Sequence, residues 1–114
     1  MPVAKVNGIN INYTVEGHGE PLVMIMGIGG DQSAWKHQVS ALKKHYQVIT
    51  FDNRGVGKSD KPEGSYSPTL MAEDTIQLMD FLKIEKAHIL GMSMGGLIAQ
   101  EIAINYPERI IKLI

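Results

Sequence analysis

Ser93 lies in the run Gly91-Met92-Ser93-Met94-Gly95-Gly96, after apolar Ala87-His88-Ile89-Leu90 and before Leu97-Ile98-Ala99-Gln100-Glu101-Ile102-Ala103. Gly-x-Ser-x-Gly between a strand and a helix has the spacing of a nucleophile elbow. So tight a turn leaves no room for flanking side chains, and Gly91 and Gly95 carry none. The serine is expected in a strained backbone conformation with its hydroxyl above the sheet. It also falls at a helix N-terminus, where free N–H groups and the helix dipole favour negative charge. That combination suits nucleophilic attack on a carbonyl. Acyl transfer also needs donors for the developing oxyanion and a base for the nucleophile. The backbone N–H of Met94 is the natural first donor. The turn Gly27-Ile28-Gly29-Gly30 follows the first central strand and is expected to supply the second, with Ile28 as donor. Gly27, Gly91 and Gly95 are then the structural turn glycines.

The elements that must position these groups read as an alternation of strands and helices. Lys5-Val6-Asn7-Gly8-Ile9-Asn10-Ile11-Asn12-Tyr13 is a hairpin with Asn7-Gly8 at its turn. Leu22–Met26 is unbroken apolar, as in a strand buried on both faces. Trp35, Val39 and Leu42 recur at helical spacing, and Asp31 or Ser33 can cap that helix. Tyr46–Phe51 is a second central strand, followed by a long polar loop from Asp52 to Ser65. Ser67-Pro68 opens a further helix. Ala87–Leu90, the helix after Ser93 and a final strand from Ile110 complete the series. The fold class is α/β: a mostly parallel sheet with an N-terminal antiparallel hairpin and helices on both faces. The expected strand order is the hairpin, then Tyr46–Phe51, Leu22–Met26, Ala87–Leu90 and Ile110–Ile114.

The chain has 114 residues, a net charge of −1 and no cysteine. Such a balance gives no reason to expect nucleic acid or an anionic membrane as partner. There is no disulfide framework and no thiolate metal site. No cluster has metal-ligand spacing, and no cofactor is required. The N-terminus lacks the apolar core of a signal peptide, and a cytoplasmic location follows as the default. Gly55-Val56-Gly57-Lys58-Ser59 imitates a phosphate loop. The first glycine of that motif would fall on Asp52, whose carboxylate repels phosphate, so the loop reads as structural, pinned by Asp52 and Arg54. Met26, Met92 and Met94 bracket the presumed site, and core filling is favoured over lining an acyl pocket.

Three landmarks together carry a resemblance. Met26-Gly27-Ile28-Gly29-Gly30, Phe51-Asp52-Asn53-Arg54-Gly55-Val56-Gly57-Lys58-Ser59 and Gly91-Met92-Ser93-Met94-Gly95-Gly96 look like the N-terminal motifs of the α/β-hydrolase fold family. The nearest flavour is the branch of esterases, enol-lactonases and cofactor-free haloperoxidase-like enzymes. The resemblance covers nearly the whole chain, and Met26 departs from it where many members have histidine. It implies a serine hydrolase acting on an ester, lactone or related carbonyl compound through an acyl-enzyme on Ser93. In that family the acid and the histidine follow the nucleophile. After Ser93 this sequence has no histidine and no aspartate, and its only acids are Glu101 and Glu108. All four histidines precede Ser93 and read as surface or boundary residues. Residues 1–114 are therefore expected to be the N-terminal portion of one α/β-hydrolase domain, ending within a strand. The acid and the histidine would lie in sequence outside it. The exposed sheet edge invites a dimer or a complementing C-terminal segment. The alternatives are a non-catalytic, hydrolase-derived binding module and a nucleotide binder.

Overall fold

Asn7 and Gly8 both take positive φ, at 51° and 79°, which gives the chain reversal its two-residue hairpin geometry. The reversal joins β1 (Val3–Val6) to β2 (Ile9–Glu16). The computed structural model describes residues 2–27 and 30–114. Ile28, the expected second oxyanion donor, and Gly29 lie outside the described residues. The remaining elements are β3 (Glu20–Ile25), α1 (Lys36–Leu42), β4 (Tyr46–Phe51), α2 (Pro68–Phe81), β5 (Ala87–Gly91), α3 (Met94–Asn105) and β6 (Ile110–Leu113).

The six strands form one sheet in the order β1-β2-β4-β3-β5-β6. β2 runs antiparallel to β1 and β4, while β4, β3, β5 and β6 are mutually parallel. This is the expected order and sense. β3 starts two residues earlier than the apolar run suggests, because Glu20 and Pro21 pair with Tyr46 and Gln47. It ends at Ile25, because the Met26 carbonyl leaves the ladder to accept from the Asn53 side chain at 2.7 Å. α1 is preceded by a 3-10 turn, Gln32–Trp35, which Asp31 caps by accepting from the Ser33 N–H. The Ser33 hydroxyl also donates to Asp31, and these two bonds hold its carboxyl below the usual range. Ser67 caps α2 with Pro68 in the first turn, as its sequence signature predicts.

Alternating residues of the parallel strands face two cores. Val23, Ile25, Ile49, Phe51 and Ile89 pack against Met71, Ile76 and Met79 of α2 and Ile98 and Ile102 of α3. Leu22, Met24 and Val48 meet Trp35 and Val39 on the other side. The central strands are thus buried on both faces, which is why they read as continuous apolar runs. Among the described residues, no helix is long and apolar enough to cross a membrane.

Candidate active site

Ser93 has φ 59° and ψ −125°, a region a serine enters only when its surroundings impose it. Here the glycines impose it by close approach. A Cβ on Gly91 would overlap the carbonyl of Gly95, and one on Gly95 would overlap the carbonyl of Ile25. The strand and helix that meet at the serine are therefore pressed backbone to backbone. Gly95→Ala is expected to cost about 1–3 kcal/mol, because a carbonyl at a strand end cannot swing aside as a flexible side chain does. A lower urea midpoint at unchanged m-value is the measurement that checks it.

Ser93 itself is exposed. It sits at the carboxyl ends of the parallel strands, where ligands bind in such sheets. Met94 is the first residue of α3, so its N–H has no acceptor within that helix. Gly27 closes the other side: a Cβ there would lie 2.9 Å from Ser93 Cβ and 3.2 Å from Met94 N. The described part of the glycine turn after β3 thus abuts the serine, as the positions of the motifs suggest. A cleft of about 550 Å³ opens beside it, lined by Gly27, Arg54, Val56, Tyr66, Met71 and Met94 among others. Met92 is half exposed at 48%, so the core-filling expectation fails for it. Met94 both packs on the core and lines the cleft. Met26 does pack on the core of the second face.

The polar loop after β4 forms the far wall of the cleft. Asp52 and Arg54 pin it through separate partners. The Asp52 carboxylate accepts from the backbone N–H groups of Gln32 at 2.8 Å and Lys58 at 3.0 Å, and from Asn12 Nδ2 at 3.0 Å. It thus already takes the Lys58 N–H that a phosphate loop would offer to its ligand, and no helix begins at Lys58. Arg54 forks onto Asp74 of α2 with contacts of 2.6 and 2.8 Å. The hydrogen bond to Asp74 raises the Arg54 pKa above its usual value. The Tyr66 ring lies 5.9 Å from the guanidinium. Sequence reading missed Asp74, Asn12 and Gln32. An aspartate at an interior-facing position of the amphipathic α2 was the one available signal.

None of the four histidines joins Ser93. His18, His37 and His45 are exposed. His88 is buried at the start of β5, the end remote from the elbow, with Nε2 3.2 Å from Glu20 Oε1 and its ring edge-on to Tyr46. Glu101 accepts from Thr69 and Asn105 on the outside of α2 and α3, and Glu108 is exposed.

A parallel-cored sheet with helices on both faces and a positive-φ serine between strand and helix defines an α/β-hydrolase-type protein. The model of the alpha/beta hydrolase fold family matches residues 20–114, and the chain belongs to that family. It is 36% identical over 108 residues to 3-oxoadipate enol-lactonase 2 of Acinetobacter baylyi, covering 93% of this chain and 40% of that protein. It is also 36% identical to a candidate carbamate hydrolase, RutD, of Azorhizobium caulinodans, covering 99% of this chain and 43% of the relative. Among solved structures, the enol-lactonase from Burkholderia xenovorans LB400 superposes with a TM-score of 0.95 at 38% identity, over 98% of this chain and 45% of that one. The chain therefore spans less than half the length of these relatives.

Proposed function

We propose that Ser93 is the nucleophile of a serine hydrolase acting on an ester, lactone or related carbonyl substrate. The single observation that carries this is the backbone of Ser93, at φ 59° and ψ −125° between β5 and α3 with Gly27 against its Cβ. Strain of that kind serves no packing purpose at an exposed side chain, whereas it does present a hydroxyl to a ligand. In this reading Ser93 Oγ attacks the carbonyl carbon. The N–H groups of Met94 and Ile28 hold the oxyanion; its collapse breaks the bond to the leaving oxygen, which takes up the proton that Ser93 gave to the base, and water then hydrolyses the acyl-serine ester to free the acid and the serine. The proton of Ser93 passes to a histidine, oriented by an acid, and both come from sequence outside these 114 residues. The hydrolase activity of full-length relatives supports the class.

Time-resolved labelling by a fluorophosphonate probe tests the reading. Slow, stoichiometric modification that maps to Ser93 and disappears in Ser93→Ala is expected. No labelling above the level of Ser93→Ala would refute it, and would favour a non-catalytic binding module.

β6 pairs only with β5 among the described strands, and Ile111, Leu113 and Ile114 beside that edge are exposed. An unpaired apolar edge recruits further strands. We propose that a complementing C-terminal segment covers it, or in its absence a second copy. Sedimentation of the 114-residue chain is expected to show mass rising with concentration. A monomer across a wide concentration range would contradict this.

A further inference from the structure

Asn53 is only 2% exposed and belongs to the loop after β4. Its Nδ2 reaches across to the neighbouring strand and donates to the Met26 carbonyl at 2.7 Å. Two successive carbonyls at the end of β3 thus have different partners. Ile25 O accepts from the Met92 N–H at 3.1 Å and holds the elbow. Met26 O is held by Asn53. A peptide unit is planar, so fixing the direction of the Met26 C=O fixes that of the Gly27 N–H and the position of the next Cα. Gly27 has no slack, since a Cβ there would lie 2.9 Å from Ser93 Cβ. A rotation of this one peptide therefore changes the space beside the serine.

The loop behind Asn53 is itself rigid. The Val56 N–H donates to the Asn53 carbonyl at 3.0 Å. On either side, Asp52 is fixed by three donors and Arg54 by its fork onto Asp74. Among the described residues, the Asn53 side-chain amide joins this buried polar network to the Met26 carbonyl, on the Gly27 side of the Ser93 site.

We propose that Asn53 is a positioning residue for the Ser93 site, acting through the Met26–Gly27 peptide; this rests on the acyl-transfer reading of Ser93. An amide donates without carrying charge. A carboxylate in its place sets acceptor against acceptor, and only its protonated form can donate.

The test uses the whole chain and two independent readouts. In the wild-type protein, NMR should detect a scalar coupling across the hydrogen bond between Asn53 Nδ2 and the Met26 carbonyl carbon. Its absence overturns the proposal. In Asn53→Asp, the Met26 carbonyl and Gly27 amide resonances should move at neutral pH and return as the pH falls through the titration of the new carboxyl group. Resonances that stay in place also overturn it. The second readout is labelling of Ser93 by a fluorophosphonate. Asn53→Asp should lower the maximal rate by about ten- to a hundredfold, the range for a small misplacement of reacting groups, with the half-saturating concentration unchanged. Ser59→Ala, which removes the buried hydroxyl that accepts from the Asn12 N–H at 2.9 Å in the same polar network, should leave that rate unchanged. Displaced resonances with an unaltered labelling rate would overturn the positioning role. Wild-type labelling no faster than Ser93→Ala would instead overturn the acyl-transfer reading and with it this role, while the coupling reports separately on the hydrogen bond.

Discussion

Hydrolysis of p-nitrophenyl esters by the 114-residue chain alone is expected to lie about 10⁴- to 10⁶-fold below that of a complete serine triad. A serine hydroxyl is a weak nucleophile without a base. Within the chain no histidine is placed to help, since His88 sits at the far end of β5 against Glu20 and the other three are exposed. In the proposed reading what remains is an oxyanion site and substrate binding, which accelerate such a reaction over water by only about 10³- to 10⁴-fold. Addition of a downstream segment bearing the acid and the histidine should restore turnover, and Ser93→Ala should remove it again. Steady-state rates with and without that segment give the measurement. Full activity of the 114-residue chain that is lost in Ser93→Ala would identify a base inside the chain and refute the proposed division of the triad.

Replacing Asp74 by alanine is expected to destabilise the fold by about 3–5 kcal/mol, the usual result of leaving a buried charge without its partner. Arg54 and Asp74 are almost completely inaccessible and share two short contacts. Asn7 Nδ2 also donates to Asp74 at 2.9 Å, so the loss would loosen the hairpin turn together with the loop. Urea denaturation should show the midpoint fall. Arg54→Met with Asp74→Leu, which removes both charges, should recover much of the loss, because the cost resides in the unpaired guanidinium. The alternative outcome, a double variant no more stable than Asp74→Ala, would mean that the geometry of the fork and not its charge holds the loop.

The structure explains why some of this was legible in the sequence and some was not. The elbow was legible because its constraints recur in every sharp strand-to-helix turn inside a parallel sheet. Gly91 meets the Gly95 carbonyl four residues on, Gly95 meets the Ile25 carbonyl of the adjacent strand, and Ser93 between them takes a positive φ, so the spacing of the three carries the geometry. The sheet order followed from apolar runs too continuous for one-sided strands, and from the short connections between them. The hairpin and the start of α2 were likewise written in adjacent residues, Asn7-Gly8 and Ser67-Pro68.

Contacts between residues distant in sequence were decided by tertiary structure alone. Nothing near Arg54 announces Asp74, and nothing near Asn53 announces the Met26 carbonyl. The exposure of Met92 depended in the same way on what packs above the elbow. By itself the sequence determined the class of fold, the place of Ser93 between a strand and a helix and the absence of histidine and aspartate after it. The tertiary structure decided how the loop after β4 is anchored and which of its residues touch the serine's surroundings. The physical reason is that backbone sterics act between neighbours, while buried polar groups find partners only where packing brings separate segments together.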